Sequence, residues 1–152
     1  MKKLQLIHGE GEIKRLDKQI KEAFKLLDGV QLSGVYIDKH LVKKIKDLGF
    51  DYIHSSGATF IGKRQVIKVG YITRFPPPPK YRVPTLIYHY YNLSRKDYYD
   101  THILMIQPKV DTNVKSDEDY IEMAKIEKRL SGWDYRDDNF GIYKKEVKLI
   151  DW

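Results

Sequence analysis

The chain contains no cysteine, which excludes disulfide cross-links and cysteine-ligated zinc or iron–sulfur centres and suits a reducing compartment. No stretch approaches the ~20 consecutive apolar residues that cross a bilayer. The opening MKKLQLIHGEGEIKR has two lysines but lacks the apolar run of a signal peptide. The expectation is a cytoplasmic protein with no membrane partner. His8, His40, His54, His89 and His102 show no i, i+4 pairing, which argues against a zinc site. Neither a G-x-S-x-G elbow nor a Walker A lysine motif occurs, so serine-hydrolase and P-loop chemistry have no anchor here. No internal repeat is visible, and the only low-complexity tract is the four prolines at 76–79.

What is present bounds the rest. A length of 152 residues suits one compact domain with a real core. With 41% hydrophobic and 32% charged residues, the composition is that of a globular rather than a disordered chain. The net charge of +7 favours anionic partners: nucleotides, phosphates, nucleic acid or an acidic protein.

Hydrophobic spacing sets the expected elements. Leu16, Ile20, Phe24 and Leu27 recur at three- and four-residue steps, predicting a helix across residues 12–27 that Asp28-Gly29 stops. A second helix is expected after Asp38 as N-cap, with Leu41, Val42, Ile45 and Leu48 as its buried stripe. From residue 50 to 72 the pattern turns to short β-strands, broken at Ser55-Ser56-Gly57 and near Gly62-Lys63. The prolines at 76–79 require an extended path. They suit a rigid connector better than a ligand for an SH3-like domain. Residues 85–92 and 100–110 read as a strand pair around the polar turn LSRKD. Ser116 then opens a third helix with an acidic first turn, Asp117-Glu118-Asp119, running to Ser131-Gly132. Two short strands around FGIY and VKLID close the pattern, so the expected class is α+β.

The closing stretch carries the chemistry. Asp134 stands five residues before Asn139, directly after a helix, and a hairpin leads from there to Asp151. The order of helix, D-x-x-x-x-N, hairpin and second Asp resembles the catalytic and metal-binding segment of the protein-kinase superfamily. Leu149-Ile150-Asp151-Trp152 is similar to the I-D-W of its aminoglycoside and choline phosphotransferase branch, and Gly132-Trp133-Asp134 to that branch's H-G-D, although no histidine stands just before Asp134 and its ordering role would be unfilled or taken by Trp133. Gly57-Ala58-Thr59-Phe60 in a turn, followed by Val66-Ile67-Lys68-Val69 on the next strand, resembles the nucleotide-covering loop and the V-A-I-K lysine. Residues 103–110 occupy the place of the fifth strand and hinge, with Gln107 where protein kinases often carry Glu.

The resemblance implies a truncated protein-kinase-like fold. Its parts would be an N-terminal helical segment (1–49) packed on the N-lobe, an antiparallel N-lobe sheet and hinge (50–110), and a minimal C-lobe (111–152) ending at the metal-binding Asp. It also implies ATP and Mg²⁺ as cofactors. Lys68 would orient the phosphates, Gly57, Ala58, Thr59, Gln107 and Lys109 would contact nucleotide, Asn139 and Asp151 would hold the metal, and Asp134 would act as base with Arg136 stabilising charge. Three departures stand out. No Glu lies between Lys68 and Glu118, so the acid that pairs with the lysine is expected from the N-terminal helix, with Glu22 as candidate. Only Gly57 and Gly62 represent the glycine loop. Acceptor-binding elements of the C-lobe would be missing, which leaves the acceptor, on a protein or a small molecule, unselected.

Two other readings stay open. One is a pseudokinase acting as a protein-interaction module, a form that would suit a bacterial virus perturbing a host enzyme. The other is a single-stranded nucleic-acid binder, in which Tyr81, Tyr88, Tyr90, Tyr91, Tyr98 and Tyr99 stack bases while Arg82, Arg95 and Lys96 neutralise phosphates. Nucleic acid ranks below nucleotide and protein as the expected partner.

Overall fold

A computed structural model describes residues 4–28, 37–54, 57–72, 76–89, 101–112, 115–130 and 136–152. The fold is mixed α+β, and the chain divides into two compact units. Met1–Phe75 and Pro84–Lys109 form the first, and Pro76–Val83 and Val110–Trp152 the second.

The first unit is a six-stranded antiparallel sheet with two helices on one face. Its strands are β1 (Gln5–His8), β2 (Asp51–His54), β3 (Ala58–Ile61), β4 (Gln65–Ile72), β5 (Leu86–His89) and β6 (Thr101–Pro108), and they lie in the order β1-β5-β6-β4-β3-β2. The helices are α1 (Lys18–Leu27) and α2 (Lys39–Asp47). Strand alternation decides which side each residue serves. Ala58 and Phe60 of β3, Ile67 and Val69 of β4, and Leu104 and Ile106 of β6 share one core with Ile20, Ala23 and Leu27 of α1 and Ile45 of α2.

Polar side chains fix the first helix against the sheet. Gln65 accepts from the amide of Asp17 at 3.0 Å and donates to the Arg15 carbonyl at 3.1 Å, which ties the approach to α1 to β4. Gln19 donates to the Leu48 carbonyl at the end of α2 and accepts from the amide of Lys63 in the β3–β4 turn. Such bonds satisfy loop and terminus groups that burial would otherwise leave unpaired. The expected start of α2 is in place, since the Asp38 carboxylate accepts from the amide of His40 at 2.7 Å.

The second unit packs α3 (Asp117–Arg129) on a hairpin of β7 (Phe140–Tyr143) and β8 (Glu146–Leu149). Met123 and Ile126 meet Phe140, Val147 and Leu149 in its core, with Tyr81 and Trp152 at the margin. Ser116 and Asp119 form a reciprocal capping box at the start of α3. Asp111 adds a bridge beside β7, and Arg82 adds a parallel bridge beside β8. The Arg82 side chain is buried and donates to the Pro77 carbonyl at 2.7 Å, so the proline segment is stapled to this unit. Pro79 departs from the expected extended path, because it opens a 3-10 turn that runs to Tyr81.

The sequence expectation differs from the structure near the start of the chain. A strand, β1, precedes the first helix, and α1 begins at Lys18 rather than near residue 12. In α3, Met123 and Ile126 are buried whereas Tyr120 and Ile121 are exposed. The β7–β8 turn is built from two lysines in the left-handed region, Lys144 (φ 49°) and Lys145 (φ 68°), without glycine or asparagine. No helix of the described residues is long and apolar enough to cross a membrane.

Candidate nucleotide and metal site

Lys68 lies near the middle of β4, a strand flanked by β3 and β6. Its neighbours Ile67 and Val69 point into the helix-covered core, so Lys68 leaves the strand on the opposite face and is half-buried there. Its cross-strand neighbours are Thr59 on β3 and Met105 on β6. Thr59 and Lys68 therefore share one surface.

That phase corrects one expectation. Helix α1 packs through Ile20, Ala23 and Leu27 on the same core as Ile67 and Val69. Glu22 is thus separated from the Lys68 side chain by the sheet and is not its partner.

The turn residues before β3 divide by role. Ser55 and Ser56 lie outside the described residues. A Cβ on Gly57 would collide with the Val69 carbonyl oxygen, so glycine is needed there for the close approach of two strands. The Ala58 side chain is buried in the core, which leaves only its main chain available to a ligand.

At the end of β6 the Gln107 side chain is fully buried, and its amide donates to the Thr85 hydroxyl at 3.1 Å. Gln107 can meet a ligand through its main chain alone. The Lys109 amide is already donated to the Arg64 carbonyl at 2.7 Å, while its side chain is exposed.

In the second unit the C-terminal set is held by main-chain bonds. A short 3-10 turn, Asp137–Asn139, leads directly into β7. The Asn139 side-chain oxygen accepts from the Arg136 amide at 2.8 Å, and the Asn139 amide donates to the Arg136 carbonyl at 2.9 Å. The Asn139 carbonyl in turn accepts from the amides of Ile150 and Asp151, at 2.8 and 3.3 Å. The two residues expected to hold metal are thereby joined at the open end of the hairpin. Arg136 pairs with Asp138 at 3.0 Å, and both side chains are largely exposed. Asp134, with Gly132 and Trp133, lies outside the described residues.

Among the described residues, no three His, Asp or Glu side chains gather into a metal cage. Asn139 retains one oxygen lone pair beyond its bond to Arg136, and Asp151 is exposed. That donor set fits a hard cation that takes its other ligands from water and phosphate.

The tyrosines of the nucleic-acid reading are partly placed. Tyr88 packs edge-on against Phe24, with ring centroids 4.9 Å apart, and burial raises its pKa above the usual phenol value. Tyr81 packs at the margin of the second core, and hydrogen bonding from Lys80, with Arg129 also nearby, lowers its pKa. Both rings are engaged in packing. Tyr90, Tyr91, Tyr98, Tyr99, Arg95 and Lys96 lie outside the described residues. Sequence reasoning missed the polar pair Gln107–Thr85, for which Gln inside an apolar strand is the only signal.

No protein-family model, no curated protein and no solved structure matches this chain.

Proposed function

We infer that the protein is a kinase-like phosphotransferase that uses ATP and Mg²⁺ to phosphorylate a hydroxyl of a protein or small molecule. The observation that carries this reading is the main-chain joining of Asn139 to Asp151. An amide oxygen and a carboxylate are what a magnesium–nucleotide complex requires from the protein. The order of parts in the first unit adds support: Gly57 precedes β3, the lysine follows on β4, and β6 runs beside it toward Gln107 and Lys109.

In this reading Lys68, with Thr59 beside it, binds and orients the nucleotide phosphates. The Gly57 turn lets main chain come near them, and Gln107 offers main chain only to the base. Asn139 and Asp151 supply the protein ligands for Mg²⁺, which when bound neutralises charge on the phosphates. Asp134 would take the proton of the acceptor hydroxyl as its oxygen bonds to the γ-phosphorus and the bond from that phosphorus to the β,γ-bridging oxygen breaks, releasing ADP. Arg136 stabilises charge on the transferred group once it is released from Asp138.

The test is thermal stability with ATP, with and without Mg²⁺, for the native chain, Asp151→Asn and Lys68→Ala. Ligand at about 100 times its Kd adds about 2.7 kcal/mol of stability, which is easily measured. A Mg²⁺-dependent shift lost in both variants, with their ligand-free stability intact, supports the site. No shift in the native chain defeats it.

A second reading, a pseudokinase acting as a protein-interaction module, is favoured by two details. The Lys109 amide is already spent on Arg64, and the Arg136 guanidinium is already paired with Asp138. Nucleotide binding without turnover in the presence of any hydroxyl acceptor would favour it.

A further inference from the structure

The net positive charge of the chain is confined to one unit. Residues 1–75 and 84–109 hold eighteen lysines and arginines against ten acids, whereas residues 76–83 and 110–152 hold ten against eleven. Much of that excess lies on the two helices. Lys18, Lys21 and Lys25 of α1 are exposed, as are Lys39, Lys43 and Lys46 of α2.

At about 100° per residue, both triplets fall away from the buried positions of their own helix. On α1 those positions are Ile20, Ala23 and Leu27, and on α2 the buried residue is Ile45. The two helices cover the same face of the sheet. Both lysine rows therefore look outward from one layer. Among the described residues none of these six lysines is paired with an acid. Glu22 and Asp47 each stand four residues after a lysine of these rows, yet each row stays net positive when they are counted, and an anionic partner relieves the remaining like-charge repulsion.

We propose that this outer helix layer binds the phosphate backbone of double-stranded DNA without sequence preference. Backbone binding needs positive charge and little else, and that matches the surface. Protein partners are held mainly by buried aromatic and apolar anchors, and this layer offers none. An anionic membrane takes up a helix through an apolar face, but the apolar residues of α1 and α2 are committed to the core. The exposed large apolar side chains, Leu6, Ile53, Tyr120 and Ile121, lie on other elements. The surface is also distinct from the face that carries Lys68. It is independent of the kinase reading.

Fluorescence anisotropy with a labelled duplex DNA, at several salt concentrations, tests this on the full chain. The native chain binds, with log K falling steeply against log salt. The variant Lys18→Gln/Lys21→Gln/Lys43→Gln/Lys46→Gln loses at least about tenfold in affinity, and its salt slope is shallower by roughly 0.9 for each phosphate that is no longer neutralised. Lys125→Gln/Lys128→Gln on α3 and Asp151→Asn bind as the native chain does, so loss of the nucleotide site and loss of this surface are read separately. Circular dichroism confirms that each variant is folded. The proposal is overturned by absence of binding at low salt, or by a four-lysine variant that binds as well as the native chain. Binding to phosphatidylserine vesicles but not to duplex DNA overturns it too, as does single-stranded DNA binding more tightly than duplex.

Discussion

Asn139 and Asp151 stand at opposite ends of the last hairpin, yet the Asn139 carbonyl holds the Asp151 amide at 3.3 Å and the Ile150 amide at 2.8 Å. Their proximity comes from main chain, so it survives changes to either side chain. That separates structural from ligand effects in mutants.

Asn139→Ala removes the side-chain acceptor for the Arg136 amide and is expected to cost about 1 kcal/mol. Asn139→Asp keeps the acceptor and is expected to be close to native in stability. Urea unfolding of the two variants checks the difference. If both also lose Mg²⁺-dependent ATP binding, the amide itself serves the ligand.

Gln107→Leu breaks a buried bond to Thr85 and is expected to cost about 1–3 kcal/mol. ATP affinity, if present, is expected to stay within about twofold, a prediction from the full burial of that side chain. A large loss of affinity in a folded Gln107→Leu protein would contradict the assignment of Gln107 to the core.

Gly9 has φ +93°, and a Cβ there would collide with the Thr85 carbonyl. Gly9→Ala is expected to destabilise by about 2 kcal/mol or more, because strain and collision act together. Gly11, also at positive φ but with open space around it, is expected to cost only about 1 kcal/mol on the same change. Denaturant midpoints of the two variants decide the order.

Tyr88 gives a pH signature. Burial raises its folded-state pKa, so its contribution to stability is fully present below the unfolded value near 10 and is lost as pH rises through the higher folded value. Tyr88→Phe is expected to flatten that alkaline decline. Unfolding free energies measured along the range in both proteins provide the comparison.

The parts legible in the sequence were local ones. Asp38 and Ser116 cap their helices within three residues, and the alternation in residues 50–72 and 103–108 sets strand faces residue by residue. The Asn139-to-Asp151 segment is equally local, since one hairpin brings its ends together. What escaped was non-local. Strand β1 is four residues long and exists by pairing with β5, where Gln5 lies opposite His89 and His8 opposite Ile87. Glu22 and Lys68 were matched by order along the chain, but the phase of β4 against α1 places them on opposite sides of the sheet. No composition or spacing encodes that phase.

The proline segment has a consequence for how the chain is made. Val83 donates its amide to the Leu149 carbonyl, and Arg82 bridges to the same residue. Residues 76–83 leave the ribosome long before their partner strand does. At a synthesis rate of about 5–20 residues per second, they wait several seconds for it. During that interval β5 and β6 are synthesised and complete the set of strands in the first unit's sheet. The prolines limit the freedom of the waiting segment, so β8 meets a partner with fewer conformations to lose.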